Sequence, residues 1–143
     1  MRPIFILLGL PAFASPAAAA QEAAPTPTLS IAAGETVTVR IADNERGFIL
    51  LSRTRGEAGG ARAENTVRFS FSNMGGQMML RTENGYARAF NYRARMFSGR
   101  RSANTSICTV LPNIIGFESW GDRIDRLELR EPRLSDSAEM RCQ

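Results

Sequence analysis

Val67-Arg68-Phe69-Ser70-Phe71-Ser72 carries an apolar residue at every second position and a polar one between. Successive strand side chains point to opposite faces, so this run predicts Val67, Phe69 and Phe71 on a buried side and Arg68, Ser70 and Ser72 on a wet one. A helix would scatter the same three apolar groups around its circumference. The alternation returns in residues 35–42, where Val37, Val39 and Ile41 interleave with Thr36, Thr38 and Arg40. It returns again where Leu127 and Leu129 lie between Arg126, Glu128 and Arg130.

Working outward, Leu29-Ser30-Ile31 predicts a first strand, which Ala32-Ala33-Gly34-Glu35 turns into the second. The uninterrupted apolar run Phe48-Ile49-Leu50-Leu51 predicts a strand covered on both faces. Residues 105–111 add a further strand, and no proline falls between Thr28 and Leu111. The sum is about eight short strands separated by loops rich in Gly, Asn and Arg, which predicts an all-β fold: one antiparallel β-sandwich or barrel-like domain. Residues 122–131 also fit a short helix, with Asp122 and Arg126 four apart, but are read as a strand. The loop over residues 53–64, with three glycines and charges of both signs, is read as mobile rather than functional.

The dipeptide Asn84-Gly85 is a signature of a two-residue type I′ hairpin, whose central residues both need positive φ. A hairpin centred there sets Arg81 opposite Arg88, Glu83 opposite Tyr86, Met79 opposite Phe90 and Gln77 opposite Tyr92. Two facing arginines repel by about 0.2–1 kcal/mol unless an anion lies between them. The face so built, Arg81 and Arg88 with Tyr86 and Tyr92, continuing to Arg93 and Arg95, is the candidate ligand-binding site. Guanidinium forks and aromatic rings are the parts that hold a phosphate, a uronate or a sugar ring. The competing reading turns Phe90, Tyr92 and Met79 into the core and lets the arginines snorkel at its edge.

Charge distribution favours the same region. Residues 65–105 hold seven arginines (68, 81, 88, 93, 95, 100 and 101) against Glu83 alone. Residues 21–64 hold five against six acids, and residues 106–143 five against seven. A basic middle third calls for an anionic partner, unless its arginines pair with Asp122, Asp125 or Glu128 on a neighbouring strand. Nucleic acid is not expected as that partner.

Chain length and composition, 143 residues with 43% hydrophobic and 22% charged, fit one domain. All 18 cations are arginine, and there is no histidine and no lysine. That excludes Ser-His-Asp and Cys-His relays, imidazole metal ligands, Schiff-base lysines and the phosphate lysine of P-loops.

Residues 1–20 have the three parts of a secretory signal peptide: Arg2, a short apolar core from Ile4 to Leu10, and alanines 17–20 before a cut at Gln21. Residues 21–27, rich in Ala and Pro, are read as a flexible leader, and residues 28–143 as the β-domain. In an oxidising compartment the two cysteines, Cys108 and Cys142, should pair and tie down the C-terminus. Periplasmic or secreted bacterial localisation follows. The mature chain holds no apolar stretch of the roughly 20 residues that a membrane helix requires.

Two smaller features are candidate sites with bland competing readings. Glu118 beside Trp120 could form a carbohydrate subsite, against a Trp that plugs the core. Met74, Met78 and Met79 could hold copper(I), but adjacent strand residues point to opposite faces, which favours packing and leaves no metal site. The functional expectation is a small exported, non-enzymatic β-domain without cofactor, binding an anionic envelope component or another exported protein. The alternatives are an inhibitor of a secreted enzyme, acting through a projecting loop at residues 98–104, and a carboxylate-dependent glycan hydrolase. No pair among the fourteen acids is singled out for the latter by spacing. The sequence sets no oligomeric state.

Overall fold

The computed structural model describes residues 23–143. The expected signal peptide and its cleavage point lie outside the described residues. Among the described residues nine strands form two antiparallel sheets: β1 (Thr28–Ala32), β2 (Glu35–Ile41), β3 (Phe48–Arg55), β4 (Val67–Met74), β5 (Gln77–Asn84), β6 (Ala89–Ser98), β7 (Arg101–Thr105), β8 (Ile115–Trp120) and β9 (Arg126–Ser135). One sheet runs β1-β9-β6-β7 and the other β3-β2-β4-β5-β8, packed as a β-sandwich. The alternating runs form β2, β4 and β9 in the predicted phase, with Val37, Val39, Val67, Phe69, Phe71, Leu127 and Leu129 all buried. Phe69 sits at the centre, its ring 6.4 Å from Phe48, 6.0 Å from Phe90 and 5.4 Å from Tyr92. Burying each such side chain contributes about 1.5–3 kcal/mol. Of the segment that also fitted a helix, residues 126–131 form the first part of β9, as the strand reading expected, and residues 122–125 are the loop leading into it.

The strand Phe48-Ile49-Leu50-Leu51 is not covered on both faces. β3 is an edge strand, and Leu50 and Leu51 are 37% and 50% exposed. Thr38 pairs with Ser52 and Val39 with Leu50, so Leu51 is the extra residue of a β-bulge. The expected strand at 105–111 is reduced to isolated bridges, Phe90 to Val110 and Cys108 to Cys142. The chain there runs between the sheets to close one side. Thr26, within the expected leader, exchanges two backbone hydrogen bonds with Phe48 at 2.9 and 2.8 Å. The loop after β3, expected to move freely, is tied down by bonds from Arg62 to the Asn113 carbonyl and from Arg68 to the Gly60 carbonyl.

The largest correction falls on Asn84-Gly85. β5 pairs with β4 and β8, while β6 pairs with β7 and β9, so the two do not form a hairpin. Instead the chain crosses here from one sheet to the other. Asn84 is fully buried, and its side-chain amide donates to the carbonyls of Arg88, Val110 and Leu111 at 2.8–3.1 Å while its Oδ1 accepts the Tyr86 N–H at 3.0 Å. A side chain on Gly85 would overlap the carbonyl oxygens of Ala63 and Thr66. Asn and Gly are thus required here by hydrogen bonding and close approach, not by a turn of positive φ. Two-residue hairpins lie elsewhere. Gly75 and Gly76, at φ 63° and 88°, close β4 onto β5, and Gly99-Arg100 closes β6 onto β7. The second turns the expected projecting loop at 98–104 into a compact hairpin.

The Cys108–Cys142 disulfide forms as expected, flanked by backbone bonds between Ile107 and Gln143 and between Thr109 and Arg141. A cross-link over 34 residues contributes roughly 3–4 kcal/mol by restricting the unfolded chain.

Candidate functional site

The outer face of the four-stranded sheet follows from strand phase. Leu127, Leu129, Leu29, Ile31 and Ala94 are buried, so their neighbours in sequence point outward. Pairing then aligns those neighbours in three rows. Thr28, Arg130 and Arg93 form the first; Ser30, Glu128, Arg95 and Asn104 the second; Ala32, Arg126, Phe97 and Ser102 the third. The rows begin beside a bulge in β9, where Glu131 takes φ 54° and Pro132 is admitted because no ladder hydrogen bond is needed from it.

This face carries four guanidinium groups around Glu128, and most are oriented by neutral partners. Arg130 Nη2 donates to Asn104 Oδ1 at 2.9 Å, passing over β6. Arg95 Nη2 donates to Ser102 Oγ at 2.7 Å. The Arg126 guanidinium lies 3.8 Å over the Phe97 ring, with Ser30 Oγ at 3.4 Å and Glu128 Oε2 at 3.7 Å. Arg93 pairs with Glu131 at the rim, Nε to Oε2 3.1 Å. Arg130 Nε is buried and has no hydrogen-bond partner among the described residues. Arg93 and Arg130 stand directly opposite, the like-charge arrangement that an intervening anion would relieve.

The structure disperses the other expected site residues. Arg81 lies on the outer face of the five-stranded sheet, opposite Ser70 and Phe117, with its Nη1 2.5 Å from Glu83 Oε1. Glu83 is 2% exposed and also accepts from Arg68 at 2.6 Å, so two guanidinium groups share one buried carboxylate. Arg88 sits on the crossover between sheets, bonded to Asp136 and to the Leu134 carbonyl, each at 2.9 Å. It does not face Arg81.

Tyr86 is buried with its hydroxyl accepting the Ile41 N–H at 2.9 Å, and burial raises its pKa above the ordinary phenol value. Tyr92 is in the core, stacked on Phe90 with ring centroids 5.0 Å apart and hydrogen-bonded to Thr82. Its burial pushes the phenol pKa strongly upward. Of the six expected ligand residues, Arg93 and Arg95 share the arginine face, while both tyrosines belong to the core. Arg126, Arg130, Phe97 and Asn104 complete the face unforeseen. Their alternation was legible, but the pairing of β6 with β9 joins residues some 35 apart in sequence and had no local signal.

The expected pairing with the acidic C-terminal segment occurs at Arg88 and Arg93, through Asp136 and Glu131 rather than Asp122 or Asp125. Asp125 instead accepts the Gly99 N–H, which lowers its pKa and clips the β6–β7 turn. Glu118 and Trp120 are also structural: Glu118 accepts the Cys108 N–H at 2.7 Å, and the indole donates to Thr105 while meeting Phe71 edge-on. No family model, curated protein or solved structure matches the chain.

Proposed function

We propose that the protein is a small exported, non-enzymatic β-domain that binds an anionic envelope polymer through the outer face of its four-stranded sheet. The observation that carries this reading is the way the arginines are held. Asn104 and Ser102 orient Arg130 and Arg95 without neutralising them, so their charge is available to a partner. Guanidinium forks bind phosphate, sulfate and carboxylate oxygens in pairs. Adjacent strands lie about 4.8 Å apart and alternate residues about 6.7 Å apart, a grid suited to repeated anionic groups rather than one small ion. Phe97, between Arg95 and Arg126, holds the Arg126 guanidinium over its ring without neutralising it.

Binding to vesicles bearing a phosphorylated outer-membrane glycolipid tests the reading, with vesicles of neutral lipid as reference. Strong binding to the first is expected, weakening steeply as salt rises because exposed charges are screened over about 10 Å at 0.1 M. Equal binding to both vesicles, or affinity indifferent to salt, refutes it.

A further inference from the structure

The sandwich has four edge strands, and three are blunted against further pairing. On β3 the Leu51 bulge interrupts the edge, and Thr26 occupies the backbone of Phe48. On β1 the Ser30 carbonyl is taken by Arg53 Nη2, and Pro27 precedes the strand. β7 is short, opens with Arg101 and reads Arg-Ser-Ala-Asn-Thr, with no large apolar side chain to bury. Bulges, charges, prolines and short strands are the devices by which sheet edges avoid pairing.

β8 has no bulge, no proline and no outward-facing charge. It reads Ile-Gly-Phe-Glu-Ser-Trp, with its only charge, Glu118, turned inward to the Cys108 N–H. Ile114, Ile115 and Phe117 are 41%, 37% and 60% exposed. Beside them on the outer sheet face lie Met79 and Met74, bordering the same groove as Phe117. The Asn84 N–H bonds to the Ile114 carbonyl, and antiparallel alternation from that pair turns the backbone groups of Ile115, Phe117 and Ser119 toward the free edge.

We infer that β8 is a dimerisation edge whose occupant is β8 of a second copy of this chain. A two-fold axis through Phe117 sets it opposite its own counterpart and Ile115 opposite Ser119, with six backbone hydrogen bonds formed between these residues. Glu118 falls opposite Gly116, so the pairing brings no like charges face to face. The two Phe117 rings lie on the same side of a joined ten-stranded sheet and cover each other there. Because the axis stands perpendicular to that sheet, both four-stranded sheets lie on its other side. Their arginine faces therefore point the same way, which would double the contact with an extended polyanion. The dimer itself does not depend on what the arginines bind.

Sedimentation velocity of the disulfide-intact protein over a dilution series is expected to show a dimer that dissociates on dilution. Phe117→Lys should give a monomer with unchanged circular dichroism, because the side chain is mostly exposed in the single chain. Phe117→Cys should form a disulfide-linked dimer on mild oxidation, since hydrogen-bonded partners lie about 5.5 Å apart between Cα atoms, within disulfide range. A wild-type monomer at all concentrations, or a dimer that persists in Phe117→Lys, overturns the inference. Arg95→Gln with Arg130→Gln should leave dimerisation unchanged, which separates failure of this interface from failure of the anion reading.

Discussion

The two outer faces of the sandwich both carry arginines, but they treat the charge in opposite ways. On the five-stranded sheet, Arg68 and Arg81 converge on Glu83, which is almost completely buried. On the four-stranded sheet, Arg95 and Arg130 are positioned by a hydroxyl and an amide, and Arg126 by an aromatic ring. A buried carboxylate makes arginines part of the fold; neutral partners fix the geometry and leave the charge free. The seven arginines of residues 65–105 therefore do not form one field, and density of charge along the chain is a poor guide to where a ligand binds.

The comparison is broken most severely at Glu83. Glu83→Ala leaves Arg68, whose side chain is 12% exposed, without its carboxylate, and should destabilise the domain by roughly 3–5 kcal/mol in urea unfolding. Glu128→Ala on the other face should change stability by no more than about 0.5 kcal/mol, because its nearest guanidinium nitrogen is 3.7 Å away at a half-exposed site. That variant should also bind the polyanion more tightly. Equal losses of stability from the two substitutions would erase the distinction between the faces.

Asn84→Ala comes next, at about 2–3 kcal/mol, because it strands the Tyr86 N–H and the carbonyls that the amide serves. Thermal unfolding of the purified variant reads this out, and a loss below about 0.5 kcal/mol would remove Asn84 from its place as the organiser of the crossover.

A smaller effect is set by pH. The Tyr86 and Tyr92 phenols have raised pKa values in the fold relative to the ordinary 10.0, so the folded state holds their protons more tightly than the unfolded chain. Their contribution to stability is complete below pH 10 and is lost as pH rises through the raised values. The melting temperature should therefore fall progressively above about pH 10. Tyr86→Phe should blunt the fall, although it costs the bond to Ile41.

Much of the fold was legible because strands with one buried face write a period of two into the sequence, as 35–42, 65–72 and 126–130 do. Topology was less so. Asn84-Gly85 has the chemistry of a tight turn, yet Asn84 serves a buried hydrogen-bond network that outweighs the turn preference of two residues. Gly75-Gly76 and Gly99, which do close hairpins with positive φ, carry the same kind of signal and were eclipsed by it. Half of the arginine face, Arg93 and Arg95, fell within the basic middle third. The other half, Arg126 and Arg130, belongs to a segment whose acids outnumber its arginines, so net charge concealed it. β8 escaped notice because Gly116 and Glu118 occupy its inward positions, leaving no apolar stripe in the expected phase.

The most direct test of the account compares two variants of equal charge change, Arg95→Gln with Arg130→Gln and Arg81→Gln with Arg88→Gln, in heparin binding across a salt series. The account predicts that the first pair lowers affinity about tenfold or more, roughly 1.4 kcal/mol, and flattens the salt dependence. The second should leave affinity within about twofold, since those guanidinium groups already serve Glu83 and Asp136. Equal losses from both pairs would show that net charge alone drives binding and would contradict the assignment of the four-stranded sheet as the site.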